Sequence, residues 1–179
     1  STNEVSNKRD LLNKNIVYSS DPRSMKGSNF FIITVPTPTT KSNKPDLSII
    51  GKAANLIAPI LEKGATVILE STVYPGVTET YLVPILSKVS KLKHKKDFFV
   101  AYSPERINPG ESKYKLTNIK KVIGADNKKT LLNTSKLYKS IIKAGVHEVS
   151  SIKVAEASKA IENAQRDINI AFVNEVMML

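Results

Sequence analysis

Apolar residues along this chain fall into short continuous runs separated by longer helical patterns. Four runs predict strands, at 30–35, 65–71, 97–103 and 120–125, and VHEVSS at 146–151 predicts a short fifth one. The first run, FFIITV, has the composition of a strand that is buried on both faces of a sheet.

Helical periodicity fills the intervals between these runs. It predicts helices over 47–64, from about Val77 to Lys88, and from Ala125 to Ala144. Asp46 is predicted to cap the first of these helices, Gly64 to end it, and Asp126 to cap the third. The alternation of strands and helices predicts an α/β fold with a doubly wound, mostly parallel sheet.

A longer helical pattern begins near Ser151 and continues towards the end of the chain. Lys159, Asn163 and Asp167 lie four residues apart in it, with Arg166 beside them, so that they form a polar stripe on one side of an otherwise apolar helix. The stripe has two interpretations, a solvated face or a face turned towards a ligand.

Three loops that follow predicted strands are rich in hydroxyl and charged side chains. They are TVPTPTT at 34–40, ESTVYPG at 70–76 and YSPERINPGE at 102–111. Each loop taken alone has the prolines and hydroxyls of an ordinary turn. Because the carboxyl ends of parallel strands share one edge of a sheet, the three together favour a small-molecule site there.

Composition restricts the classes of function. The net charge is +11, but the lysines are scattered, and no aromatic residue interleaves with the densest run, at 88–97, to stack on bases. Nucleic-acid binding is therefore an alternative and not the favoured interpretation. The chain has no cysteine, no apolar run long enough to cross a membrane, and only two distant histidines. A cytoplasmic setting without a membrane partner or a metal site is expected.

Four motifs together resemble a known family. TVPTP, ESTVYPG, YSPERINPG and KAIENAQRDINIAFVNE, in this order and spacing, resemble the UDP-glucose/GDP-mannose dehydrogenases. The last two are most similar to the UDP-N-acetylhexosamine 6-dehydrogenases of capsule and O-antigen synthesis, the Vi-polysaccharide type included. The resemblance implies NAD as cofactor and a UDP-sugar as substrate, whose C6 alcohol is oxidised twice, through a cysteine thioester, to a carboxylate.

The resemblance also assigns roles to individual residues. It implies that Lys159 and Asn163 stabilise the oxyanion at C6, that Glu105 is the base for thioester hydrolysis, and that Thr72 helps to position the water. The implied cofactor contacts are Val35, Pro36, Thr37, Pro38, Thr39, Ser71 and Thr72. The implied substrate contacts are Glu105, Arg106, Ile107, Asn108, Lys159, Asn163 and Arg166. Pro109 stands where UDP-glucose dehydrogenases commonly have a second glutamate, which is compatible with the N-acetylhexosamine branch.

Two features of the family are missing from this sequence. It contains no G-x-G-x-x-G phosphate loop and no nucleophilic cysteine. Residues 1–150 are therefore expected to be the later part of the NAD-binding domain, and 151–179 a long central helix, with the UDP-sugar-binding domain absent. The 179-residue chain alone is expected to be inactive, whereas the intact protein is expected to form a homodimer through the long helix. A non-catalytic dimerisation or scaffold fragment is the other alternative.

Overall fold

The computed structural model of the protein describes residues 15–105 and 116–179. Its five strands are β1 (Phe30–Ile33), β2 (Thr66–Leu69), β3 (Phe99–Tyr102), β4 (Lys121–Ala125) and β5 (Val146–Glu148). Its four α-helices are α1 (Ser48–Ile57), α2 (Val83–Ser90), α3 (Lys128–Lys139) and α4 (Ile152–Met177). Short 3-10 turns occur at Pro22–Met25, Ala58–Ile60 and Leu116–Asn118, and a π-helical turn, Thr78–Leu82, leads into α2. Within these described segments, no helix is long and apolar enough to cross a membrane.

The strands form one sheet in the order β1-β2-β3-β4-β5. β1, β2 and β3 are parallel, β4 runs antiparallel to β3, and β5 is parallel to β4. The predicted α/β fold with a mostly parallel sheet is confirmed. The reversal at β4 has one consequence for the site, because it brings the first residue of β4 to the edge where β1, β2 and β3 end.

Helices cover both faces of this sheet. Val67 and Leu69 of β2 pack on one face in the main core, which also contains Leu86 of α2 and Ala155 of α4. Ile68 points to the opposite face and belongs to a smaller core that includes Tyr138 of α3. Successive side chains of a strand alternate between faces, and all four residues of β2 are buried, as expected for a central strand.

The structure corrects one prediction about β1. Phe31 and Ile33 are buried, but Ile32 between them is 46% exposed. The expectation that this strand is buried on both faces is therefore wrong. β1 is at one end of the described strand order and leaves Ile32 on a partly uncovered face, so a continuous apolar run does not imply two covered faces.

The first helix differs from its prediction at both ends. Its capping position is Leu47 rather than Asp46, although the Asp46 carboxylate still accepts the Ser48 N–H at 2.8 Å. The α-helix ends at Ile57 and not at Gly64, because Pro59 has no N–H with which to continue the hydrogen-bond ladder. Gly64, with φ +91°, instead forms the turn that leads into β2.

The third helix is capped by a residue other than the one predicted. Asn127 caps α3 by accepting the Thr130 N–H at 2.9 Å. Asp126 instead accepts the Val100 N–H and pairs with His94 Nε2, both at 2.9 Å. Its carboxylate therefore joins the start of α3 to β3 and to the loop that carries His94.

The last helix begins where the sequence predicts. Ser151 Oγ accepts the Val154 N–H at 3.2 Å, and α4 then continues for 26 residues. Gly124 of β4 lies against this start. A Cβ at Gly124 would be 2.4 Å from the Ser151 carbonyl oxygen, which only a glycine avoids. The beginning of α4 is therefore in direct backbone contact with the sheet.

Candidate functional site

A cleft of about 310 Å³ opens at the edge of the sheet where β1, β2 and β3 end. Three loop segments line it: Thr34–Thr37 after β1, Glu70–Thr72 after β2, and Glu105 after β3. The three strands are parallel, so their carboxyl ends meet at this edge, which is where open α/β sheets bind ligands.

The cleft brings together many of the residues that the sequence assigned to cofactor and catalysis. Val35, Pro36, Thr37, Ser71, Thr72 and Glu105 all line it. Pro38 and Thr39 are outside the lining, because they join a neighbouring turn. The Pro38 carbonyl accepts the Asp46 N–H at 2.8 Å, and Thr39 forms an antiparallel bridge with Pro45.

The two hydroxyl residues after β2 have different surroundings. Ser71 is buried, and its Oγ donates a hydrogen bond of 2.6 Å to the Val35 carbonyl, which ties the β2 loop to the β1 loop. Thr72, the next residue, is exposed on the wall of the cleft. Ser71 therefore fixes the shape of the cleft, whereas the Thr72 side chain faces its interior or solvent.

A cluster of opposite charges lies beside the cleft, where a lysine joins two of the carboxylates that line it. Lys121 Nζ lies 3.1 Å from Glu70 Oε2 and 3.7 Å from Glu105 Oε2. The Lys121 side chain is only 5% exposed and that of Glu70 13%, whereas that of Glu105 is 42% exposed. Two carboxylates thus share one ammonium, and the carboxylate nearer to solvent is the one that the sequence assigned to catalysis.

Two buried tyrosines lie near the carboxylates of this region. Tyr138 of α3 donates its hydroxyl hydrogen to Glu70 Oε1, and burial, followed by the negative charge of Glu70, raises the pKa of Tyr138. Burial and then the charge of Glu156 raise the pKa of Tyr102. Both side chains are therefore neutral hydroxyls at physiological pH, and Tyr138 serves Glu70 as a hydrogen-bond donor.

Helix α4 is attached to the loop after β2 through a second buried carboxylate. Glu156, with no exposed surface, accepts hydrogen bonds from the Gly76 N–H, the Thr78 N–H at 2.9 Å and the Thr78 hydroxyl at 2.7 Å. Thr78 begins the helical turn that leads into α2, where free N–H groups favour an anion. Glu156 therefore fixes the base of α4, three residues before Lys159, to the loop that carries Thr72.

The remaining predicted residues lie elsewhere. Lys159 is partly buried on α4, and Asn163 is exposed one turn further along; neither lines the cleft. Arg166 forms an i,i+4 pair with Glu162 at 3.5 Å and borders a shallow groove on one side of α4. Arg106, Ile107 and Asn108 lie outside the described residues. The roles assigned to all of these residues stay predictions.

Sequence reasoning missed Glu70, Lys121, Tyr138 and Glu156 as parts of the site. The available signal was charge within strand-like or apolar surroundings: Glu70 directly follows VIL, and Lys121 precedes VIG. Among residues 15–105 and 116–179, no group of three or more metal-binding side chains could hold a metal ion.

Comparisons with known proteins give a consistent result. The model of the NAD binding domain of the UDP-glucose/GDP-mannose dehydrogenase family matches residues 4–142. Protein CapL of Staphylococcus aureus is 48% identical over 178 residues, which are 99% of this chain and 42% of CapL. A UDP-N-acetyl-D-glucosamine 6-dehydrogenase of Salmonella typhi is 48% identical over 162 residues, which are 90% of this chain and 38% of that protein.

A solved structure agrees with the fold. That of the UDP-D-ManNAc dehydrogenase of Pyrococcus horikoshii superimposes with a TM-score of 0.80 at 38% identity and covers 86% of this chain and 36% of that one. The chain therefore spans about two fifths of the length of the curated relatives that it matches.

Proposed function

The chain belongs to the UDP-glucose/GDP-mannose dehydrogenase family, and we propose that it is part of an NAD-dependent UDP-sugar 6-dehydrogenase. The observation that carries this proposal is the cleft at the carboxyl ends of β1, β2 and β3. It combines hydroxyl residues, for binding, with the ionisable Glu105, for chemistry, at one edge of the sheet.

The cleft has chemical features that fit NAD. Thr37 Oγ1 is buried at the cleft wall without a hydrogen-bond partner in the described part of the chain, and a buried polar atom of this kind is suited to a ligand or a water. Val35, Pro36, Thr37, Ser71 and Thr72 would hold the cofactor; Pro38 and Thr39 would support that loop from behind. When bound, NAD⁺ accepts the hydride that leaves the sugar C6.

The substrate we propose is a UDP-N-acetylhexosamine, oxidised at C6 from alcohol to carboxylate for polysaccharide synthesis. The support is the 48% identity to the Salmonella typhi UDP-N-acetyl-D-glucosamine 6-dehydrogenase, which extends over 90% of this chain. Two hydride transfers to two NAD⁺ would remove four electrons, and a cysteine elsewhere in the full-length protein would hold the intermediate thioester. Residues 1–150 would be the later part of the NAD-binding domain.

Glu105 is proposed as the base that takes a proton from water as the thioester is hydrolysed. Its carboxylate is 42% exposed at the mouth of the cleft, so that water has access to it. Thr72, also exposed in the cleft, would help to orient that water. Lys159 and Asn163 would donate to the oxyanion that forms at C6, and Arg106, Ile107, Asn108 and Arg166 would contact the sugar nucleotide.

The full-length protein that contains this chain provides the test. With UDP-N-acetylglucosamine or UDP-N-acetylgalactosamine, two NADH should form per sugar. Glu105→Gln should give an initial burst of NADH and accumulate a covalent sugar adduct that intact-protein mass spectrometry detects. Lys159→Ala should give no burst and lower the rate roughly 10²–10³-fold, the effect of losing one oxyanion donor.

Two exposed residues away from the cleft serve as matched controls. Glu148→Gln on β5 and Lys136→Ala on α3 remove the same charges and should leave turnover unchanged. Absence of NADH with every UDP-hexosamine would refute the proposed activity. Normal turnover of Glu105→Gln would refute its role as the base.

We also propose that the full-length protein forms a homodimer through α4. Four large apolar side chains of this helix are more than 65% exposed: Ile161, Ile168, Phe172 and Met177. Apolar side chains exposed to this extent are not typical of a solvated helix. Light scattering should give twice the chain mass, and Phe172→Asp should give a monomer. A monomeric unsubstituted protein at micromolar concentration would contradict this.

A further inference from the structure

Lys121 reaches the candidate site because of the strand reversal at β4. β4 pairs antiparallel with β3, with Ala101 opposite Ala125 and Tyr102 opposite Gly124. Continued in the same register, this pairing sets Glu105 opposite Lys121. The Ser103 hydroxyl, which donates to the Val122 carbonyl at 2.7 Å, holds the two segments together between these points. The side chain that begins β4 is therefore directed towards the carboxyl-terminal edge of β3.

The surroundings of Lys121 fix the position of its ammonium. Glu70 Oε2 lies 3.1 Å from Nζ, and the ring centroid of Tyr138 lies 5.3 Å from it. Tyr138 in turn donates its hydroxyl to the other oxygen of Glu70. The Lys121 side chain is only 5% exposed, and an ammonium held from two sides in this way has little freedom to move.

We infer that Lys121 is a positioning residue, which holds the Glu105 carboxylate at the mouth of the cleft for thioester hydrolysis. This inference rests on the proposed function of Glu105. The Glu105 carboxylate is 3.7 Å from Nζ and more exposed than Glu70, so Lys121 forms its link to the fixed part of the site. The charged and titratable groups that face Lys121 are Glu70 from the loop after β2, Glu105 from the loop after β3 and Tyr138 from α3.

Removal of the ammonium would leave two carboxylates beside one another. A neighbouring cation favours the ionised form of a carboxyl group, and a neighbouring anion disfavours it. Lys121→Met should therefore let the two carboxylates repel each other and release Glu105 from its position. Loss of the fixed position should also reduce kcat roughly 10²-fold, with KM for the UDP-sugar nearly unchanged.

The experiment uses the full-length protein and measures the NADH burst, steady-state turnover and the covalent adduct across pH. Lys121→Met should show the burst and the adduct, as Glu105→Gln does, and Lys121→Arg should recover most of the turnover. The matched control is Lys139→Met, which breaks a pair of the same 3.7 Å length, with Glu148, on the outside of the protein. It should behave as the unsubstituted protein does.

A double variant separates positioning from folding. Lys121→Met with Glu70→Gln removes both buried charges and keeps an acceptor for the Tyr138 hydroxyl, so a variant of this kind folds even where the single one does not. If Lys121 positions Glu105, the double variant still stalls at hydrolysis. If Lys121 only neutralises Glu70, the double variant regains normal turnover, and the inference is overturned.

These measurements distinguish a failure of the positioning role of Lys121 from a failure of the proposed dehydrogenase function. When the unsubstituted protein turns over and Glu105→Gln stalls, but Lys121→Met turns over with an unchanged kcat and accumulates no adduct, the positioning role alone is wrong. When the unsubstituted protein oxidises no UDP-sugar, the proposed function is wrong, and the role of Lys121 is refuted with it.

Discussion

Glu70 and Glu156 are both largely removed from solvent, but the structure balances their charges in different ways. Glu70 has a cation, Lys121, at 3.1 Å and a tyrosine hydroxyl as its second partner. Glu156 instead accepts hydrogen bonds from the N–H groups of Gly76 and Thr78 and from the Thr78 hydroxyl. The pair of Glu70 and Lys121 lies beside the cleft, whereas Glu156 lies near the beginning of α4.

The difference indicates what each carboxylate does. An ammonium has three N–H donors, so a second carboxylate can share it, and Lys121 is in fact shared with Glu105. Backbone N–H groups are fixed in direction and cannot be shared in this way. Glu156 is therefore suited to lock two elements together, whereas the pair of Glu70 and Lys121 is suited to support a reactive group beside it.

The largest effect on stability is expected at Glu156. Glu156→Ala removes the acceptor of two buried N–H groups and a hydroxyl, and should lower the free energy of unfolding of the 179-residue chain by about 4 kcal/mol. Chemical denaturation followed by circular dichroism measures this. Glu162→Ala, on an exposed turn of the same helix, should cost under about 0.5 kcal/mol. Equal effects of the two substitutions would refute the locking role.

A second substitution attacks the same attachment from the sheet side. Gly124→Ala places a methyl group 2.4 Å from the Ser151 carbonyl, so that the start of α4 must move away from β4. Backbone contact of this kind should cost about 3 kcal/mol, at the upper end of overpacking effects. The control is Ala144→Gly, which exchanges the same two residue types outside this contact. Gly145→Ala cannot serve as the control, because φ at Gly145 is +78° and an alanine would be strained there. A Gly124→Ala protein as stable as the original would show that α4 moves freely on the sheet.

These two substitutions also show where sequence reasoning stopped. The edge at which Val35, Ser71 and Glu105 meet was predictable, because parallel strands order their carboxyl ends without any knowledge of side-chain contacts. The contact of Glu156 with Gly76 spans 80 residues, and no periodicity within either segment encodes it. The same is true of Lys121, which reaches Glu105 only because β4 is antiparallel.

The sequence predicted a helix end correctly where only one nearby residue could form it, and incorrectly where two residues could. The helix α4 begins near Ser151 as predicted, and Ser151 caps it by a hydrogen bond within its own turn. At the start of α3, Asp126 and Asn127 are both good capping residues, and burial of Asp126 beside His94 decided in favour of Asn127. Gly64 has the positive φ expected of it, but Pro59 had already ended the helix.

The charge pair at the cleft should contribute less to stability than Glu156. Lys121→Met leaves Glu70 without its cation, but Glu70 borders the cleft and water can reach it, so the loss should be about 2 kcal/mol rather than the larger cost of a fully enclosed pair. Denaturation of the 179-residue chain measures this without any substrate. Lys121→Met with Glu70→Gln should recover most of the loss. A double variant that is less stable than both single variants would contradict the pairing.

The smallest effect is expected for a carboxylate that remains in solvent. Asp21 pairs with Arg23 at 2.8 Å, and the side-chain hydrogen bond of Arg23, followed by its backbone N–H, lowers the pKa of Asp21. A lowered folded-state pKa gives stability that is present above the unfolded value of 3.8 and is lost as the pH falls through the folded value. Asp21→Asn should therefore reduce the denaturation midpoint slightly at pH 7, the difference should shrink as the pH falls below 3.8, and added salt should reduce it at pH 7. A loss at pH 7 comparable to that of Glu156→Ala would mean that exposure does not separate these carboxylates. The distinction drawn here between Glu70, Glu156 and Asp21 would then be wrong.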